Sequence, residues 1–156
     1  MFKFKMSQFL IVDTSYCIFY RFFATKRWYS FAYPEEKFND DYDWYENDIF
    51  KNMFEKKFLE QFNKLIKKYT IDGKKIIFAK DCARKNIWRT QIFNEYKDCR
   101  KKTSHISKFF KFTYDTILKD KNIVNYDSLE ADDCIYLLKK FLIEKNVNNK
   151  FIIVTG

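Results

Sequence analysis

Residues 8–13 read QFLIVD, a run of apolar side chains that ends abruptly on Asp13. A short apolar stretch without polar alternation is the pattern of a strand covered on both faces, as in a parallel sheet. Two more stretches repeat it: Lys75–Ala79 (KIIFA) runs into Asp81, and Phe151–Val154 (FIIV) runs into Thr155-Gly156. A fourth, shorter strand is expected near Asn122–Tyr126. Between these runs the spacing changes to a helical one. A helix is expected from Ser15, read as its N-cap, through Ala24. From Asp48 onward, Ile49, Phe50, Met53, Phe54, Phe58, Phe62, Leu65, Ile66 and Tyr69 recur at three- and four-residue steps, which predicts a long amphipathic helix. Ile106, Phe109, Phe110, Tyr114, Ile117 and Leu118 predict another. A last helix is expected from about Ser128, with Ile135, Leu138 and Leu142 on its apolar face. Residues 35–48, acidic and preceded by Pro34, read as a surface connection. Strands alternating with helices imply an α/β fold with a mainly parallel sheet and right-handed crossovers.

The composition narrows the class further. With 156 residues, 47% of them hydrophobic and including 19 Phe and 11 Tyr, the chain has the material for one domain with a real core. Only 2 Gly and 1 Pro argue against loop-dominated or many-turned all-β folds. The net charge of +9 suits a polyanionic partner, although 25 of the 30 basic residues are Lys, a bias that an AT-rich genome produces equally well. Cys17, Cys82, Cys99 and Cys134 form no C-x-x-C pair and have only His105 as an imidazole companion, which speaks against zinc and for reduced thiols in an intracellular compartment. No signal-peptide pattern and no apolar run long enough for a membrane span is present.

In open parallel sheets ligands bind beyond the carboxyl ends of the strands. Asp13 and Asp81 each stand at such an end, and Glu130, Asp132 and Asp133 follow a third. Five carboxylates from three distant segments are therefore expected on one edge. Gathered carboxylates repel one another and raise each other's pKa values, so a cation is expected among them; oxygen-rich sites of this kind suit Mg2+ or Mn2+. Taken singly, each acid is also explained as a turn or helix-cap residue, and Glu130-Ala131-Asp132-Asp133 as an acidic first helical turn.

Residues 84–102 read RKNIWRTQIFNEYKDCRKK. Arg84, Lys85, Arg89, Lys97, Arg100, Lys101 and Lys102 alternate with Trp88, Phe93 and Tyr96. Cations for phosphates and rings for unpaired bases suit single-strand nucleic acid, and a solvated basic helix face is the alternative.

Taken together, these segments resemble the 5'-3' exonuclease and flap endonuclease family, which includes the 5'-nuclease domain of bacterial DNA polymerase I. The resemblance rests on Asp13, Ser15 and Arg21 in DTSYCIFYRFFA, on Asp81 after KIIFA, on W-R-x-x-I-F-x-x-Y-K-x-x-R from Trp88 to Arg100, on E-A-D-D at 130–133, and on IIVTG at 152–156. Thr14 stands where many relatives carry Gly or Ala. The resemblance implies a three-layer PIN-like (Rossmann-like) domain over residues 1–156, with a helical arch at about 101–126. It implies two Mg2+ or Mn2+ ions held directly or through water by Asp13, Asp81, Glu130, Asp132 and Asp133. Lys97, with Asp132 and Asp133, would be catalytic. Arg21, Arg84, Arg89, Tyr96, Lys97, Arg100, Lys101 and Lys102 would contact DNA bearing a free 5' strand or flap. The implied protein is a monomer acting without a membrane, inside the cell where DNA is replicated or repaired. The family's acidic motif continues beyond T-G and its helix-hairpin-helix region follows, so the chain is expected to be an N-terminal portion. A non-catalytic nucleic-acid-binding module and a PIN-like ribonuclease are the alternatives.

Overall fold

The computed structural model of the chain describes residues 7–97 and 104–156. Four parallel strands form one sheet in the order β3-β2-β1-β4: β1 is Gln8–Asp13, β2 Ile76–Ala79, β3 Asn122–Val124 and β4 Lys150–Val154. Both neighbours of β1 are sheet strands, which is why its middle residues Leu10, Ile11 and Val12 are fully buried.

Strand alternation divides the core in two. Leu10 and Val12 face one side, with Phe78, and meet α1 (Thr14–Ala32), α2 (Asp48–Tyr69) and, beyond the short α3 (Trp88–Ile92) that follows β2, α4 (Ser104–Phe112). Ile11 and Ala79 face the other side and meet α5 (Ala131–Lys145) through Ala131, Cys134 and Ile135. The result is the expected three-layer α/β arrangement.

The larger core is aromatic. Phe50, Phe54, Phe58 and Phe62 follow one another at four-residue steps on α2, so all four lie on one stripe and are buried. Phe109 of α4 sits among them, 4.8 Å from the Phe54 ring and 5.2 Å from Phe22. Truncating any one of these rings to Ala would cost about 3–5 kcal/mol. Ile49 and Tyr69, which share the expected apolar series, lie off the stripe and are exposed.

Several expectations change in detail. The first helix starts one residue after β1 and is capped by Asp13, whose Oδ1 accepts from Tyr16 N at 3.0 Å, not by Ser15. It continues to Ala32, where Tyr33 precedes Pro34 and leaves the helical region. The acidic connection 35–48 is not merely a surface loop: Trp44 is buried and packs at tilted or edge-on angles against Phe38, Tyr42 and Phe50 at centroid distances of 4.8, 4.9 and 4.6 Å. Its charges face out while its rings plug the end of the aromatic core. Most of the stretch expected as a helical arch is likewise body, not arch. Phe109 and Ile106 are core residues, a five-residue π turn follows at Thr113–Ile117, and Asn122–Val124 is a sheet strand. Residues 101–103 of that stretch lie outside the described residues.

Candidate active site

The carboxyl ends of β1 and β2 bring Asp13 and Asp81 to the same edge of the sheet: Asp13 pairs in register with Ala79, two residues before Asp81. The start of α5 is drawn to that edge by Asp81 itself, whose Oδ1 accepts the Ala131 N–H at 2.7 Å. A carboxylate on the exposed N–H groups of a first helical turn is favoured by the helix dipole. The loops beneath it run side by side, with Cys82 N donating to Leu129 O at 2.9 Å and Trp88 N to Ser128 O at 3.0 Å. These bonds explain how residues some fifty positions apart come to share one site.

The five acids divide into two groups. Asp13 lies with Asp81 and Asp132. Burial raises its carboxyl above the ordinary Asp range, and the negative charges of Asp81 and Asp132 add to the rise; the Tyr16 N–H and the Lys97 ammonium act against it. Asp132 itself is exposed. Glu130 and Asp133, in contrast, are saturated with donors. Arg89 forks onto Asp133, Nη1 to Oδ2 and Nη2 to Oδ1, both at 2.7 Å, and its Nη1 also reaches Glu130 Oε2 at 2.9 Å. Tyr96 Oη donates to Glu130 Oε2 at 2.8 Å, and the Lys97 ammonium pairs with Oε1. Asp133 Oδ2 accepts further from Trp88 Nε1 at 3.3 Å and from Glu130 N at 3.1 Å. Burial is the largest single influence on Glu130 and would raise its carboxyl, yet Lys97, Tyr96 and Arg89 together outweigh it and hold it below the ordinary range. Asp133 is held low chiefly by its bonds to Arg89.

Lys97 is unusual in backbone as well. Its φ of 61° lies in the left-handed region, which costs a residue with a side chain about 1 kcal/mol or more. Arg84 Nη2 donates to its carbonyl and helps to hold that conformation.

The sequence-derived site is therefore assembled in part. Asp13, Asp81, Glu130, Asp132, Asp133, Arg89, Tyr96 and Lys97 do meet at one edge. Arg89 and Tyr96, expected on nucleic acid, hold Glu130 and Asp133 in this structure, and Arg84 holds the Lys97 backbone. Arg21 belongs elsewhere: it lies between α1 and α2, donates to Gln61 Oε1 at 2.9 Å, and has its guanidinium pKa lowered mainly by burial. Arg100, Lys101 and Lys102 fall outside the described residues. In sequence Trp88 stands out only as a ring among cations, and its N–H bond to Asp133 has no signature there. A cleft of about 390 Å³ beside Asp81, lined by Ser15, Lys80, Phe110, Lys111 and Tyr114, likewise has no signature in sequence, because Tyr114 reads as one more core position in a helical series.

The donor set suits a hard cation: oxygen ligands, with Asp13 crowded by two further carboxylates. Among the described residues no three His, Cys, Asp or Glu side chains are gathered closely enough to hold an ion as they stand. Glu130 and Asp133, for their part, are turned to Arg89 and Lys97. No helix among the described residues is long and apolar enough to cross a membrane.

One comparison with known proteins finds a relationship. The sequence model of a family described as 5'-3' exonuclease, N-terminal resolvase-like domain, matches residues 8–156. No curated protein and no solved structure matches the chain.

Proposed function

The chain belongs to the 5'-3' exonuclease N-terminal resolvase-like family, and from that premise we propose that it hydrolyses DNA phosphodiester bonds at a free 5' strand or flap, using Mg2+ or Mn2+ bound at the acidic edge. The observation that carries this reading is that Asp13 and Asp81 stand at the carboxyl ends of neighbouring strands, with Asp81 bonded to the first turn of the helix that carries Asp132. Negative charge kept together at the end of a parallel sheet, and left short of counter-charge, is what a divalent ion would relieve. Asp13, Asp81 and Asp132 would hold the first ion once drawn closer together than they now stand, and Glu130 and Asp133 would be available to a second only after parting from their present donors. Such ions, when bound, polarise the phosphodiester for attack by water.

The chain's own residues supply the rest. Lys97, whose carbonyl is held by Arg84, would supply positive charge to the phosphate once its ammonium leaves Glu130. The cleft beside Asp81 offers Lys111 and Lys80, whose ammonium lies 4.4 Å from the Tyr114 ring, to a neighbouring phosphate. The net charge of +9 would draw the polyanion in and make its binding salt-sensitive.

A second reading, nucleic-acid binding without turnover, is favoured by one observation: Glu130 and Asp133 are already neutralised internally. Both readings meet the same test. The chain is incubated with Mg2+ and with labelled 5'-flap DNA or its RNA counterpart, alongside Asp13→Asn and Lys97→Ala. DNA cleavage is expected, lost in Asp13→Asn and slowed about 10²–10³-fold in Lys97→Ala. Salt-sensitive binding with no cleavage by any variant would replace this reading with the binding module, and preferential RNA cleavage would replace it with a ribonuclease.

A further inference from the structure

The Arg89 network has a role of its own. A carboxylate offers about four lone-pair positions. Asp133 uses Oδ1 on Arg89 and Oδ2 on three donors, namely Arg89, Trp88 and the Glu130 N–H. Glu130, only 6% exposed, uses Oε2 on Arg89 and Tyr96 and Oε1 on Lys97. Neither carboxylate can turn to an ion without giving up charge-assisted bonds, and the forked Arg–Asp pair is the strongest geometry of that kind. Arg89 is itself held in place from behind, its guanidinium 4.7 Å from the Trp88 ring and 6.0 Å from the Tyr96 ring.

We propose that Arg89 is a built-in counter-cation that competes with the divalent ion for Glu130 and Asp133, so that ion loading and the release of Lys97 from Glu130 are a single event. The inference rests on the ion-binding reading above and concerns its regulation. Without the ion, Arg89 and Lys97 offset the repulsion among the acids and keep the edge folded. With it, the ion takes over that compensation, and Arg89 and Lys97 become available to phosphate. By linkage, whatever strengthens Arg89 on the acids must weaken the ion by the same factor, and the reverse. Arg89 is thus a positioning residue whose removal tightens ion binding, the opposite of what deleting a ligand or a mere structural support does.

The test uses Mg2+ alone, measured by calorimetry on the full chain without DNA. Arg89→Ala is expected to bind Mg2+ about tenfold more tightly than the unaltered protein. Arg89→Lys keeps the charge but loses the fork, and should fall between the two. In the unaltered protein Mg2+ should also change tryptophan emission, because Asp133 leaves the Trp88 N–H, and Trp88→Phe should abolish that change. If Arg89→Ala does not fold, Arg89→Lys decides alone. Equal or weaker Mg2+ binding by a folded Arg89 variant, or an emission change that survives Trp88→Phe, would overturn the proposal. Asp13→Asn separates the two levels: if it abolishes Mg2+ binding while the Arg89 variants bind no tighter, the ion site stands and only the competition falls. If Mg2+ binds nowhere, or binds regardless of Asp13, both fall.

Discussion

The two halves of the acidic edge carry the same chemistry and live in opposite surroundings. The Asp13 carboxyl is pushed up, by burial first and then by the charges of Asp81 and Asp132. Glu130 and Asp133, a few residues away, are more completely enclosed in bonds, and their carboxyls are pulled down. Burial works against the charged form at both Asp13 and Glu130; Asp13 has carboxylates for neighbours, whereas Glu130 has Lys97, Tyr96 and Arg89. A carboxylate's place in a site is therefore set by which cations reach it first, and here the cations come from the segment 84–97 docked under α5.

Substitution at each half should break the symmetry most plainly. Glu130→Ala removes the shared partner of Arg89, Tyr96 and Lys97 and is expected to destabilise the fold by about 3 kcal/mol, the lower end for a buried ion pair because Arg89 keeps Asp133. Asp132→Ala, on an exposed position, should stay within about 0.5 kcal/mol. Urea titration of both variants measures the contrast, and equal losses would dissolve it.

A smaller effect is expected one step outward. Arg84→Ala frees the Lys97 carbonyl and relaxes its left-handed backbone, with a loss of about 1 kcal/mol. Proteolysis or hydrogen exchange confined to the segment around Lys97 would register it, whereas exchange unchanged from the unaltered protein would show that Arg84 does not support that conformation.

The least pronounced effect is in the pH profile, where the halves differ in sign. Glu130 and Asp133 have depressed carboxyls, so their stabilisation is complete above the unfolded range near about 4 and is lost as pH falls through their folded values. Asp13 has a raised carboxyl, so the native state takes up its proton first and repulsion eases as pH falls toward that range. Stability should rise slightly from neutral pH downward, then drop in acid. In Asp13→Asn the shallow rise should vanish while the drop remains; a rise that persists would assign it to another group.

Much of this was legible in advance. The apolar runs around Leu10–Val12 and Ile76–Ala79, the four-residue Phe steps of α2, and the acids at strand ends follow from local pattern, because strand and helix periods are properties of neighbouring residues. The burial of Trp44 in an acidic loop was not, since a ring's burial depends on what packs over it. The same holds for Arg21, whose partner Gln61 stands 40 residues away.

By itself the sequence determined the parallel α/β order, the aromatic core and the arrival of five carboxylates at one edge, because these depend on period, composition and chain direction. Which carboxylates keep their charge unshared was decided only by tertiary structure. Arg89 reaches Asp133 across 44 positions through loops held by backbone hydrogen bonds, and it is that closure, not the identity of the acids, that divides Glu130 and Asp133 from Asp13, Asp81 and Asp132.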